Sequence, residues 1–318
     1  MAFRNKYYDF VDEIESDCND IDHILKHMTK IMKNIPNISK KNLPKDFFLI
    51  DKFIDSDNES KISILKYAIR YLYLDEFLNL IQYHNFETCS EINTYLPLLV
   101  FNINIYTKCN KKLVYQTIEF LIESGCDISY HNHLITILAS GSHNFILQII
   151  LEHGGDASTL NNMPIRHAAN HQNFNNIMLL MEYGADIHTH NNYVFRHSLY
   201  TNDINLTKFC INIGVDVNIN NGISIKHSLF NGSKMFDILI DYGADINYID
   251  EYDIYNVVQN KDIGLLKKLS DLGVRIDQLN FIRNNMNKWD EDYTLFNFLQ
   301  KNGVFDKNIL FAMFNKDG

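Results

Sequence analysis

Apolar residues in this chain fall at fixed distances ahead of a recurring glycine. Counting back from Gly125, the third, fourth, fifth and seventh positions are Ile122, Leu121, Phe120 and Ile118. The same register gives Leu151, Ile150, Ile149 and Leu147 before Gly154, Met181, Leu180, Leu179 and Ile177 before Gly184, and Ile240, Leu239, Ile238 and Phe236 before Gly243. That spacing predicts a helix with one buried stripe. The glycine closes it, because the residue after the last turn commonly turns left-handed and a glycine does so without steric cost. The glycine returns every 29 or 30 residues, at Gly125, Gly154, Gly184, Gly214, Gly243, Gly273 and Gly303. A beat of that length predicts stacked units, none of which buries its apolar face alone.

Two residues after the glycine stands an aspartate: Asp127, Asp156, Asp186, Asp216 and Asp245. A short carboxylate there can accept hydrogen bonds from nearby amides and fix a turn, so these acids read as turn-makers and not as catalysts. About eighteen residues before most of the glycines a second apolar segment predicts a shorter helix. It is clearest in Met163-Pro164-Ile165-Arg166-His167-Ala168-Ala169, where Pro164 suits a first helical turn, and it returns in Tyr193 to Leu199 and Ile223 to Leu229. Each unit is thus a short helix, a longer helix and an extended turn to the next pair.

These residues resemble the ankyrin repeat, whose signatures are T-P-L-H-x-A in the first helix and G-A-D-[IV]-N after the second. Gly184-Ala185-Asp186-Ile187, Gly214-Val215-Asp216-Val217-Asn218 and Gly243-Ala244-Asp245-Ile246-Asn247 match the turn, and Met163 to Ala169 carries the first-helix signature. The resemblance implies an all-α fold, an ankyrin-type helical repeat solenoid with a small helical N-terminal module. Two features depart from the family: the period is shorter than its usual ~33 residues, and the histidine position carries Arg166, Arg196 or Lys226. The shorter turn predicts stubbier finger-like hairpins. This variant, with its heavy use of Asn, Ile, Lys, Tyr and Phe, resembles the ankyrin arrays of giant DNA viruses.

Upstream, Ser63 to Ile69 matches a first helix and Phe77 to Tyr83 a second, with His84 where glycine is expected; a degenerate unit begins near Glu59. The next starts at Leu96-Pro97-Leu98-Leu99, and its distance from Gly125 implies an insertion around Ile103 to Lys112, as a loop or a longer helix end. Downstream, Gly273 and Gly303 lack the aspartate, and the stretch from Asn284 to Asp292 is polar where a first helix is expected. Erosion toward both ends suits caps, which face solvent on one side. The expected organisation is an N-terminal helical or capping module over 1–58 and an array of about eight units over 59–318. In the former, Ile21, Ile24, Leu25, Met28 and Met32 share one helical face, ended by Pro36. Leu43-Pro44-Lys45-Asp46-Phe47-Phe48 resembles the opening of an F-box, the helical motif that docks on ubiquitin-ligase scaffolds; a segment capping the first repeat is the alternative.

The bulk numbers narrow the partners. Of 318 residues, 29 are Lys or Arg and 39 Asp or Glu, a net charge of -10 that argues against a phosphate backbone as partner. The lysine-dense stretch from Lys26 to Lys45 is interrupted by Met28, Ile31 and Ile35 and reads as a solvated helix face and linker. Five cysteines (Cys18, Cys89, Cys109, Cys126 and Cys210) are odd in number and lack close pairs, which fits a reducing compartment. The first residues lack the apolar core of a signal peptide, and no stretch approaches the ~18 apolar residues of a membrane helix. A soluble monomer, cytoplasmic or nuclear and possibly in a host cell, is expected.

His167, His197 and His227 recur at one repeat position. Stacked helices lie roughly 8–10 Å apart, too far for corresponding histidines to share a zinc ion held at about 2.0–2.1 Å, so they read as a packed ladder, and no metal or cofactor is expected. Arg166, Arg196 and Lys226 could meet an acidic partner; the resemblance implies that they brace the turn. His131, His133, His188 and His190 fall in the turns and suit polar contacts. No H-E-x-x-H, Walker A, nucleophile-elbow or kinase signature is present, and an enzyme is not expected. The resemblance implies a scaffold that binds a protein through the concave face of the array. The resemblance maps the contact positions to Thr159, Leu160, Asn170, His171, Thr189, His190, Tyr200, Thr201, Ile219, Asn220, Phe230, Asn231, Tyr248 and Ile249. Their mix of aromatic, aliphatic and neutral polar groups suits a protein surface. The alternative is a substrate adaptor for a ubiquitin ligase, docked through the N-terminal module.

Overall fold

The computed structural model describes residues 48–84, 89–105, 109–276 and 293–303. They fold as an all-α repeat protein, with no strand among the described residues. The helices are α1 (Ile50–Asp55), α2 (Asn58–Arg70), α3 (Leu74–Ile81), α4 (Cys89–Ile105), α5 (Lys111–Glu123), α6 (Tyr130–Ser140), α7 (Asn144–Glu152), α8 (Thr159–Asn170), α9 (Phe174–Glu182), α10 (Thr189–Tyr200), α11 (Ile204–Asn212), α12 (Ile219–Asn231), α13 (Ser233–Asp241), α14 (Glu251–Gln259), α15 (Ile263–Asp271) and α16 (Tyr293–Lys301). Two compact units meet in the sequence between Val194 and Phe195.

The glycine register governs the core of both. In the first unit Leu121, Ile150 and Leu180, four residues before the glycine, and Ile118, Leu147 and Ile177, seven before it, are fully buried. In the second, Cys210, Leu239 and Leu269 fill the nearer position and Thr207, Phe236 and Leu266 the farther one, again excluded from water. Each glycine is left-handed, with φ from 76° at Gly303 to 102° at Gly214. At Gly184 its N–H donates to Met181 and the next N–H, of Ala185, reaches back to Leu180, a closure that satisfies two carbonyls of the helix end. The same pair of bonds closes α5, α7, α11, α13 and α15.

First helices end in a left-handed residue too. Leu72, Gln172, Asn202 and Lys261 have φ between 52° and 57°, and the following N–H groups of Tyr73, Asn173, Asp203 and Asp262 return to Ala68, Ala168, Ser198 and Val257. Asn173, Asp203 and Asp262 then cap the second helix, accepting from Asn176, Leu206 and Leu265. One residue therefore stops one helix and its neighbour starts the next, which explains why the hairpins are tight.

Upstream, α2 and α3 occupy the segments expected of a degenerate unit, with Asp57 capping α2 through Ser60. His84, in the glycine's place, is buried against Glu91 at 2.6 Å. Leu96-Pro97, expected to open the next unit, lies within α4, which begins at Cys89 and carries Pro97 inside its 17 residues. Of the 1–58 module, residues 1–47 lie outside the described residues, as does the polar stretch Asn284 to Asp292; only α1 of that module is described.

Candidate functional site

The turn between repeats holds a feature the apolar pattern did not announce. His131, Asn132 and His133, then Leu160, Asn161 and Asn162, then His190, Asn191 and Asn192, and finally Asn220, Asn221 and Gly222, all have φ between 49° and 72° with ψ between 31° and 54°. Each triplet is a left-handed turn, after which the right-handed helix begins at Leu134, Met163, Tyr193 or Ile223. Left-handed backbone costs most residues roughly 1–2 kcal/mol each, less for asparagine and nothing comparable for glycine. Asparagine accordingly fills seven of these twelve positions: Asn132, Asn161, Asn162, Asn191, Asn192, Asn220 and Asn221.

The triplets stitch one repeat to the next. In the first unit, Thr159 donates its hydroxyl to the Asn132 carbonyl at 3.0 Å and Thr189 to that of Asn161 at 3.1 Å. The backbone N–H of Asp156 donates to His133 Nδ1 and that of Asp186 to Asn162 Oδ1. The aspartate side chains meanwhile accept from the residue two further on: Ser129, Ser158, His188, Asn218 and Asn247 each donate a backbone N–H at 2.8 Å. They make turns, as their position suggested. The two serines add their hydroxyls, and those hydrogen bonds hold the Asp127 carboxyl below the usual range; at Asp156 they outweigh a burial that pushes the other way.

Beneath the turns lie the basic and histidine positions. Arg166, buried in the first unit, donates from Nη2 to the Leu160 carbonyl at 3.3 Å and lies 6.0 Å from the Tyr193 ring centre, so it braces the left-handed turn. In the second unit, Lys226 instead reaches forward to Asp250 at 2.7 Å and Asp253 at 3.0 Å, the pair that caps α14. Burial opposes the Lys226 charge, but the hydrogen bond and attraction of the two carboxylates win and raise its pKa.

All three ladder histidines are buried. His167 bonds Ser140 Oγ through Nδ1 at 3.0 Å and meets His171 edge-on. Burial first, and His171 second, push its pKa down to about 3, against the pull of the Ile137 carbonyl. Burial takes His227 down to about 4. In the second unit, the Tyr200 ring lies 6.4 Å from His197 and 6.5 Å from His227, capping that stretch of the ladder.

The fourteen mapped contact positions divide by exposure. Leu160 (43%), His171, His190, Tyr200 (43%), Asn220 and Phe230 (38%) are exposed, while Asn170, Thr189, Thr201, Tyr248 and Ile249 are half-buried. Thr159 and Ile219 are buried, and the Thr159 hydroxyl is engaged in the stitch between repeats. The Asn170 amide oxygen accepts from the Tyr193 hydroxyl. The Tyr248 ring covers Gly222, where a Cβ would collide with it. The side chain of Asn231 lies outside the described residues. What stays open is therefore a smaller set without Lys, Arg, Asp or Glu, set on turn tips and first-helix ends.

The chain is similar to an ankyrin repeat protein of Acanthamoeba polyphaga mimivirus, with 28% identity over 158 residues. The glycine-closed hairpins, the aspartate turns and the all-α fold agree with that similarity. The chain thus resembles the ankyrin-repeat proteins of giant viruses. The alignment takes in 48% of this chain and 51% of the relative, so the chain spans about half the length of the curated relative it matches. No family model matches the chain. Ankyrin-repeat arrays generally serve protein–protein interaction, and no helix among the described residues is long and apolar enough to cross a membrane.

Proposed function

We propose that this chain is a non-enzymatic ankyrin-repeat scaffold that binds one partner protein through the exposed turn tips and first-helix ends of an array running from 59 to 318 in about eight units. The observation that carries the reading is the pair Tyr200 and Phe230, both about two-fifths exposed, at equivalent positions 30 residues apart in the second unit. Aromatic side chains left in water on a rigid support are the residues that anchor interfaces, since they bury large area at small entropic cost. Their first helices are fixed beneath them by buried Phe195, Ile225 and Leu229. The neighbouring Asn220 and Thr201 offer neutral hydrogen bonds, a combination suited to a folded protein surface and not to a highly charged ligand.

Affinity capture from the native host cell with the full chain, set beside Tyr200→Ala and Phe230→Ala, tests this. The variants should lose one captured protein while keeping the helical signal; an unchanged captured set refutes the docking face. The adaptor reading rests on Leu43 to Phe48 alone. Ligase components retained by the full chain and lost on changing Leu43 and Pro44 to alanine would support it.

A further inference from the structure

The ladder histidines lie in successive repeats, but His167 has a second imidazole one helical turn away. His171 follows it by four residues, its N–H donating to the His167 carbonyl at 3.2 Å, so the helix holds both rings on one face. Their Nε2 atoms are 3.1 Å apart and their ring centres 4.4 Å, so the two nitrogens face one another. One ion bound tetrahedrally by two imidazoles at 2.0–2.1 Å would set those nitrogens about 3.3 Å apart.

The surrounding hydrogen bonds assign the lone pairs. Ser140 Oγ donates to the Ile137 carbonyl at 2.6 Å, so towards His167 it accepts, and the proton of that ring sits on Nδ1. His167 Nε2 then accepts a hydrogen bond from His171 Nε2, and a bound cation would take the place of that shared proton. A ligand histidine whose other nitrogen donates to a fixed oxygen is the usual arrangement around bound metals, because it sets both tautomer and ring orientation. Gly141 completes the setting: a Cβ there would come within 2.6 Å of His167 Cε1 and closer still to His171, so only glycine lets the two rings lie together. His167 is buried and His171 exposed, which opens the pair to solvent on one side.

We propose that His167 and His171 form a two-imidazole site for a first-row divalent cation of the copper or zinc class. Imidazole favours these ions over magnesium or calcium. Among the described residues no third His, Cys, Asp or Glu joins the pair, so water takes the remaining coordination positions. His171 is also one of the mapped contact positions, but the metal site rests on the imidazole pair and not on the docking reading.

Titration of the full chain with Cu²⁺ and, separately, Zn²⁺ by calorimetry tests the site, with His171→Gln and Ser140→Ala alongside. Changing His171, an exposed residue, leaves the core intact, as far-ultraviolet dichroism checks. The intact protein should show one equivalent of binding at least tenfold tighter than any in His171→Gln, and the Cu²⁺ form should give a resonance spectrum with two coordinated nitrogens. Ser140→Ala should keep the equivalent but weaken it by about 10–100-fold. Identical isotherms for the intact protein and His171→Gln would overturn the proposal, as would loss of the tight equivalent without two-nitrogen coupling.

Discussion

Acid should weaken this protein well above the range in which carboxylates titrate. His167 and His227 are each about 97% or more removed from solvent and neutral in the fold, with pKa values near 3 and 4, whereas an unfolded histidine titrates near 6.5. A depressed histidine contributes its full stability above pH 6.5 and loses it as pH falls toward the folded value, because only the unfolded chain takes up the proton in between. From pH 7 to pH 5 the loss is about 1.8 kcal/mol for each, roughly 4 kcal/mol for the pair. The carboxyls held below their ordinary range by hydrogen bonds, such as Asp57 and Asp127, start to matter only near and below pH 4 and stay silent over this window. Urea unfolding at pH 7, 6 and 5 in the presence of a chelator, followed by circular dichroism, reads the effect. His227→Gln should flatten the decline by about half. A stability independent of pH over that window would refute the claim that these rings are buried and neutral.

Three further outcomes follow from the turns and their supports. Gly154→Ala should cost roughly 1–2 kcal/mol, since its φ of 93° is left-handed but the space beside it is open, whereas Gly222→Ala should cost more because the Tyr248 ring must also move; thermal unfolding compares them. Asn162→Ala removes the acceptor of the Asp186 N–H and should destabilise the first unit by about 1 kcal/mol, with faster hydrogen exchange at that amide. Lys226→Met leaves half-buried Asp250 and buried Asp253 facing each other and should cost about 1–2 kcal/mol after allowance for solvent, and Asp253→Asn in the same chain should restore most of it in urea midpoints.

The glycine register was legible because it rests on two strong local rules, helical spacing and the left-handed helix end, and no tertiary effect competes with either. The aspartate turns were legible for the same reason. The left-handed triplets were not, although their signal was present: asparagine stands in every one of them, and Asn161-Asn162, Asn191-Asn192 and Asn220-Asn221 repeat the pair. Isolated left-handed residues are expected from asparagine, whereas three in a row depend on the neighbouring repeat, which a local reading does not contain. Burial of Thr159 escaped for the same cause, its hydroxyl being turned to the carbonyl of Asn132 in the preceding repeat. The unit expected to start at Leu96-Pro97 was placed too far along the chain, because α4 begins at Cys89 and the bond from the Asp127 N–H to Asn93 ties the repeat joint upstream of Pro97.

The joint between repeats imposes one requirement that the sequence meets in different ways. The backbone N–H of the turn aspartate donates to a side chain of the preceding repeat: Asn93 for Asp127, His133 for Asp156, Asn162 for Asp186 and Asn218 for Asp245. His133 and Asn162 are the third residues of their triplets. In the second unit that place belongs to Gly222, which has no side chain to offer, and Tyr248 lies over it. Asn218, four residues earlier, takes the task, accepting from Asp245 at 2.8 Å and donating to the Gly243 carbonyl at 3.2 Å. An amide at a half-buried joint is costly to leave unmet, so the acceptor persists while its address in the sequence moves. The short repeat is thus held by one geometric demand at these four joints, and a motif defined by residue type alone misses the substitution that keeps it satisfied.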